Sequence, residues 1–121
     1  TDLRFTALSI RTNARSEQVF PAARSDELAQ LYLDGADPSN PRISPRFAVF
    51  PGVTPVHFFV AETEIMRDDT LAAVAQMRAL GGCVTLERAG DLPHAWPFFA
   101  RYLPEARRTL DRLASRLRPA P

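Results

Sequence analysis

The spacing of hydrophobic and polar positions changes rhythm along this chain, and each rhythm predicts a different element. From Ser25, the apolar residues Leu28, Leu31 and Tyr32 recur at helical spacing. Ser25 suits an N-cap, Asp26 and Glu27 put negative charge in the first turn, and Gly35 can end the helix. The next stretch, "DGADPSNPRISPRFAVFPGVTP", carries Pro38, Pro41, Pro45, Pro51 and Pro55. Proline lacks an N–H and fixes φ, so this stretch reads as an ordered or semi-ordered loop and not as helix or central strand. Residues 55–61, "PVHFFVA", are apolar on both alternating faces: Val56, Phe58 and Val60 on one, Phe59 and Ala61 with His57 on the other. A strand of that kind belongs to a parallel sheet covered by helices above and below. Residues 68–82, "DDTLAAVAQMRALGG", open with acids, carry the stripe Leu71, Val74, Ala75 and Met77, and meet a stop at Gly81, which predicts a helix. "CVTLER", residues 83–88, then reads as a second strand, completing a strand-helix-strand unit. Pro104 opens a last helix whose Ala106, Leu110, Leu113 and Leu117 form one face that requires burial. Thr1 to Arg24 shows no sustained period and reads as a connection with one helical turn.

This inventory falls short of a domain. Two parallel strands with flanking helices cannot bury a strand apolar on both faces, and a two-stranded parallel sheet is not expected to be stable alone. The expectation is therefore that the other strands come from a second chain or from a preceding segment. A first residue other than methionine points the same way, to processing or a cut chain.

Composition removes several function classes. The chain has 121 residues, 45% hydrophobic and 24% charged, the make-up of a globular segment of one domain at most. With 15 basic and 14 acidic residues the formal charge is +1, so no net field points to nucleic acid or to an anionic membrane surface. Every basic residue is arginine, scattered along the chain, which reflects coding bias and not a binding patch. The single cysteine, Cys83, rules out an internal disulfide and a thiolate cluster. It starts a strand and is expected to be buried and inert, and a reducing, cytoplasmic setting is expected for the chain. No apolar run approaches the roughly 20 residues that span a bilayer, so no membrane span is expected.

The chemistry-bearing residues gather at one edge. Glu62, Glu64, Asp68 and Asp69 follow the first strand, and the loop "AGDLPH" delivers His94 just past the second. In open α/β sheets ligands and catalytic groups collect outside the carboxyl ends of strands. Adjacent strands lie about 4.8 Å apart, so a carboxylate past one can reach a histidine past its neighbour. Such a carboxylate accepts the Nδ1 proton, fixes the tautomer and stabilises the imidazolium formed when Nε2 takes a proton from a nucleophile. A loop histidine satisfied by solvent is the bland alternative for His94 and a solvated strand-end residue the one for Glu64, with Asp68 the other candidate for the acid. His57, mid-strand, reads as a packed histidine, Glu62 as a surface residue and Asp69 as a helix-start residue. Trp96 and Phe98 could line a substrate pocket or pack as core under the histidine loop. A zinc site lacks a second nearby histidine or a cysteine pair, so no metal is expected.

These residues resemble the hormone-sensitive-lipase-like branch of the α/β-hydrolases, the bacterial family IV carboxylesterases. "TDL" looks like the segment after the sixth strand of that fold, and "LAQLYLDGADPSNPRISPRFA" like its helix and proline-rich loop. "GVTPVHFFVAETEIMRDD" looks like the seventh strand with the acid motif, "GDLPHAWPFF" like the histidine loop and "LPEARRTLDRLASRL" like the last helix. The resemblance implies an α/β fold in which residues 1–121 form the carboxyl-terminal segment of a single α/β-hydrolase domain. It implies His94 as general base, Glu64 as the triad acid, and Asp68 as a helix cap or a supporting partner of that acid. It further implies hydrolysis of short or medium carboxylic esters without a cofactor, and a homodimer of the whole enzyme.

The departure is that neither a "G-x-S-x-G" elbow nor an "HGG"-type oxyanion loop occurs. The serine is therefore expected on a companion chain or a preceding segment, and activity only together with it. A non-catalytic binding or receptor protein on the same fold, its nucleophile lost, is the alternative.

Overall fold

The computed structural model describes residues 1–50 and 54–117, in the order α1 (Leu8–Thr12), α2 (Ser25–Leu33), β1 (Val56–Ala61), α3 (Arg67–Ala79), β2 (Val84–Ala89) and α4 (Pro104–Leu117). Short 3₁₀ turns occupy Ala22–Arg24, Pro45–Phe47 and Trp96–Phe99. The strands pair in parallel, from Val56 opposite Val84 to Ala61 opposite Ala89, with α3 as the crossover. Around Pro51 the proline-rich loop lies outside the described residues.

Local chemistry explains most of the boundaries. α3 ends where Gly81 turns left-handed at φ +78, its N–H bonding the Arg78 carbonyl while Gly82 N–H bonds that of Met77. Those two bonds satisfy carbonyls that the last turn would otherwise leave open. A side chain on Gly82 would sit 2.9 Å from the Met77 carbonyl oxygen, so the turn also needs the second glycine.

The α2 expectations need correction. Ser25 is the first helical residue and not the cap, and its buried hydroxyl has no hydrogen-bond partner. The helix ends at Leu33, and Asp34 (φ 44) and Gly35 (φ 82) follow it in left-handed conformation, so Gly35 does stand in the turn that stops it. Ala29 is the apolar residue it buries, while Leu31 and Tyr32 are exposed.

The core sits between the end of the sheet and α4. Ala61, Trp96 and Ala106 are buried, with Phe59, Ala89, Leu92, Ala100 and Leu103 packed around them. The Trp96 ring meets Phe59 edge-on at a centroid distance of 6.0 Å, and its Nε1–H donates to Thr109 Oγ1 at 3.2 Å. Trp96 thus takes the packing role, with its edge at a cavity of about 480 Å³ also lined by Leu92, Glu105 and Thr109. Because the indole fills the gap, α4 turns Ala106 and Thr109 inward, the small residues that fit beside it, and leaves Leu110 and Leu117 exposed. Val60 and Ala61 are fully buried, but the first four residues of β1 are half-buried. The faces that the sequence marks for burial, the β1 flank and the α4 leucines, are therefore uncovered within the described residues.

Cys83 is exposed, contrary to expectation, because it precedes the pairing and lies in the turn after α3. Among the described residues no helix is long and apolar enough to cross a membrane.

Replacing Trp96 with alanine removes the centre of this core and one of the partners of Thr109. Chemical denaturation of the whole protein should show a loss of about 3–5 kcal/mol, and a loss below about 1 kcal/mol would place the stabilising core elsewhere.

Candidate functional site

Past the end of β1 the chain turns sharply, with Glu64 N–H bonding the Ala61 carbonyl before α3 begins. The turn aims the Glu64 side chain back beneath itself, where Oε1 accepts the Ala61 N–H at 2.6 Å. Glu64 is only 4% exposed. The ladder to β2 continues beyond the strands, since Glu62 N–H bonds the carbonyls of Ala89 and Gly90, and Thr63 Oγ1 donates to the Leu92 carbonyl at 3.3 Å. These bonds hold the loop that carries His94 against the turn that carries Glu64.

The two side chains meet. His94 Nδ1 lies 2.6 Å from Glu64 Oε2. A carboxylate in that position accepts the Nδ1–H, which leaves Nε2 of the neutral ring with a free lone pair. Among the described residues Nε2 has no hydrogen-bond partner. The hydrogen bond to Glu64 raises the His94 pKa, burial opposes it, and the charges of Glu64 and Glu17 add to the rise. Ala95, the next residue, adopts a left-handed backbone with φ 53. An alanine there is strained, and the surrounding 3₁₀ turn and core hold it.

The other acids take different places. Asp68 hydrogen-bonds to neither Glu64 nor His94 among the described residues, and it caps no turn of its own helix, whose N-terminus carries no side-chain cap bond. Its Oδ2 instead accepts the Ser9 N–H of α1 at 2.9 Å, its own N–H donates to Ser9 Oγ at 3.1 Å, and Arg67 pairs with its other oxygen. Asp68 therefore ties α1 to the start of α3, one step removed from the acid. Glu62 pairs with Arg88 at the surface. Asp69 lies in the first turn of α3 but is buried, accepting the Asp2 N–H at 2.7 Å, and burial pushes its pKa up. His57 packs mid-strand with its Nδ1 against Thr85 Oγ1 of the partner strand. Phe98 is 90% exposed, beside an apolar groove of about 600 Å³ that also involves Phe59, Pro97, Leu110 and Leu113. No cluster of three metal-ligating side chains occurs among the described residues.

Sequence reasoning missed the contribution of the first two dozen residues. Ser9 Oγ donates to the Ile65 carbonyl at 2.6 Å, and the Asn13 amide donates to the carbonyls of Glu62 and Glu64, each at 2.8 Å. Ser16 Oγ lies 3.1 Å from the Thr63 carbonyl, and Glu17 Oε2 accepts the Ile65 N–H at 3.2 Å. The only available signal was compositional: "SIRTNARSE" is dense in side chains that bond backbone groups, in a segment without a period.

Comparison with known proteins bears on the fold and the family. Residues 1–98 match the alpha/beta hydrolase fold family. The chain is 30% identical over 119 residues to an acetyl-hydrolase of Streptomyces hygroscopicus, covering 98% of itself and 40% of that protein. It is 31% identical over 111 residues to the hormone-sensitive lipase of Ictidomys tridecemlineatus, covering 88% of itself and 14% of the lipase. It superposes on the crystal structure of an esterase from the bacterial hormone-sensitive lipase family with a TM-score of 0.91 and 34% identity, covering 97% of itself and 39% of the esterase. The chain thus spans about 40% of the acetyl-hydrolase and of the esterase. On the family match over residues 1–98 and these similarities, the chain belongs to the α/β-hydrolase fold family, in its hormone-sensitive-lipase-like branch.

Proposed function

We propose that this chain is the carboxyl-terminal segment of a serine carboxylesterase, supplying His94 as general base and Glu64 as its orienting acid to a serine on a companion chain or a preceding segment. The observation that carries the reading is the 2.6 Å contact between His94 Nδ1 and a carboxylate that is buried and separately held by the Ala61 N–H. A solvated strand-end acid would have no reason to be so enclosed. Esterase and lipase relatives support the class of reaction.

The steps follow from which nitrogen is free. The serine hydroxyl attacks the ester carbonyl while Nε2 of His94 takes its proton, and Glu64 stabilises the imidazolium. Nε2–H then protonates the leaving alkoxide, and the alcohol departs from the acyl-enzyme. Water attacks the acyl carbon, again losing its proton to Nε2. The acid leaves as the proton returns to the serine oxygen. No cofactor enters this sequence. Short or medium acyl esters are the proposed substrates, and a homodimer the proposed state of the whole enzyme.

Two outcomes test the reading in the protein together with its nucleophile-bearing part. With a p-nitrophenyl acyl ester, His94→Ala should lower kcat by about 10⁴-fold or more. Turnover retained in that variant removes His94 from the reaction, whereas no turnover in the parent itself favours the binding-protein alternative.

The pH profile gives a second outcome. His94 must be neutral to accept a proton, and Glu64 raises its pKa. The acidic limb of kcat/KM should therefore lie above the ordinary imidazole value of about 6.5. In Glu64→Gln the limb should move to lower pH, and an unmoved limb contradicts the pairing.

A further inference from the structure

Besides its bonds to the loop after β2, the turn that carries Glu64 is held by side chains from one aperiodic segment. Consecutive peptide groups of residues 62–65 receive Asn13, Ser16, Asn13 again, and then Glu17, and Ser9 takes the Ile65 carbonyl. A side-chain grip of this density on one tight turn leaves the acid little freedom to swing away from His94.

Glu17 alone among these side chains also bonds the residue that packs on the His94 ring. Its Oε1 accepts the N–H groups of Val19 and Phe20, at 2.9 and 3.1 Å, while Oε2 takes the Ile65 N–H. Phe20 in turn lays its ring edge-on to the His94 imidazole, with a centroid distance of 6.3 Å. One carboxylate therefore bonds the residue that follows the acid and the residue that packs on the histidine. We propose that Glu17 is a positioning residue for the Glu64–His94 pair, fixing the acid's turn and the imidazole's packing neighbour together and placing a second negative charge near the ring. The proposal rests on the reading of His94 as general base.

The electrostatics run in the same direction. Burial pushes the Glu17 carboxyl up, but the N–H donors of Val19, Phe20 and Ile65, with the attraction of His94, hold it below its ordinary value. It is thus ionised when His94 titrates. Glu64 and Glu17 are the charged groups that act on the ring among the described residues, since Glu62 is engaged by Arg88 and Asp68 by Arg67.

Glu17→Gln separates this role from mere stability, because glutamine offers a single acceptor oxygen and no charge. One of the two holds must break, and the imidazolium loses a stabilising neighbour. In the whole enzyme, the folded variant should show kcat lowered about tenfold or more and the acidic limb of kcat/KM displaced to lower pH. A purely structural residue would lower the yield of folded protein without moving that limb. Should Glu17→Gln fail to accumulate, Glu17→Asp keeps the charge but shortens the reach, and it should leave the limb in place while lowering kcat. A parent-like kcat and an unmoved limb in Glu17→Gln, or a parent-like kcat in Glu17→Asp, overturns the proposal. His94→Ala run alongside keeps the two readings distinct: if it abolishes turnover while the Glu17 variants behave as the parent, the role of Glu17 alone is lost.

Discussion

The arrangement depends on one hydrogen bond between a buried carboxylate and an imidazole, Glu64 Oε2 to His94 Nδ1. A carboxylate enclosed in protein is costly unless donors satisfy it, and Glu64 has a donor on each oxygen. The parallel pairing of β1 and β2 makes the contact possible. Strands that run the same way end on the same edge, and the ladder extends past both ends, so two loops about thirty residues apart in sequence are held side by side.

Everything around the bond restrains it from a different side. Beneath it, Trp96 pins the loop after His94 into the core through Phe59 and Thr109, and the strained backbone of Ala95 is carried by that anchoring. Above it, the segment that begins the chain grips the acid's turn through Ser9, Asn13, Ser16 and Glu17. Asp68 belongs to the outer part of this frame, fastening α1 to α3. The hydrophobic surface left open, at Leu31, Phe98, Leu110 and Leu117, contrasts with this enclosed edge. It fits a chain that spans about 40% of the relatives it matches.

How far the sequence could be read follows from the kind of signal each element carries. β1, α3, β2 and α4 were legible because hydrophobic period and terminal residues agree, as at Gly81 where the αL turn needs a glycine. The edge on which Glu64 and His94 meet was legible because parallel strands end together. The face that α4 buries was not, because period gives the angular position of a stripe but not the neighbour's shape, and the Trp96 indole selects Ala106 and Thr109 over the leucines. The role of the first segment was illegible for a different reason. Side-chain bonds to a distant backbone have no spacing rule, so Asn13 and Glu17 look like ordinary polar loop residues until the turn they hold is seen. Ser25 shows the reverse error, a favourable cap residue that the chain places one position too late.

The most direct measurement is a crystal structure of the whole enzyme after reaction with a serine-directed organophosphonate. The account predicts a phosphonylated serine, contributed from outside these 121 residues, whose oxygen lies within hydrogen-bond reach of His94 Nε2 while Nδ1 remains on Glu64. A phosphonylated serine remote from His94, or an imidazole turned away from Glu64 in the adduct, would contradict it.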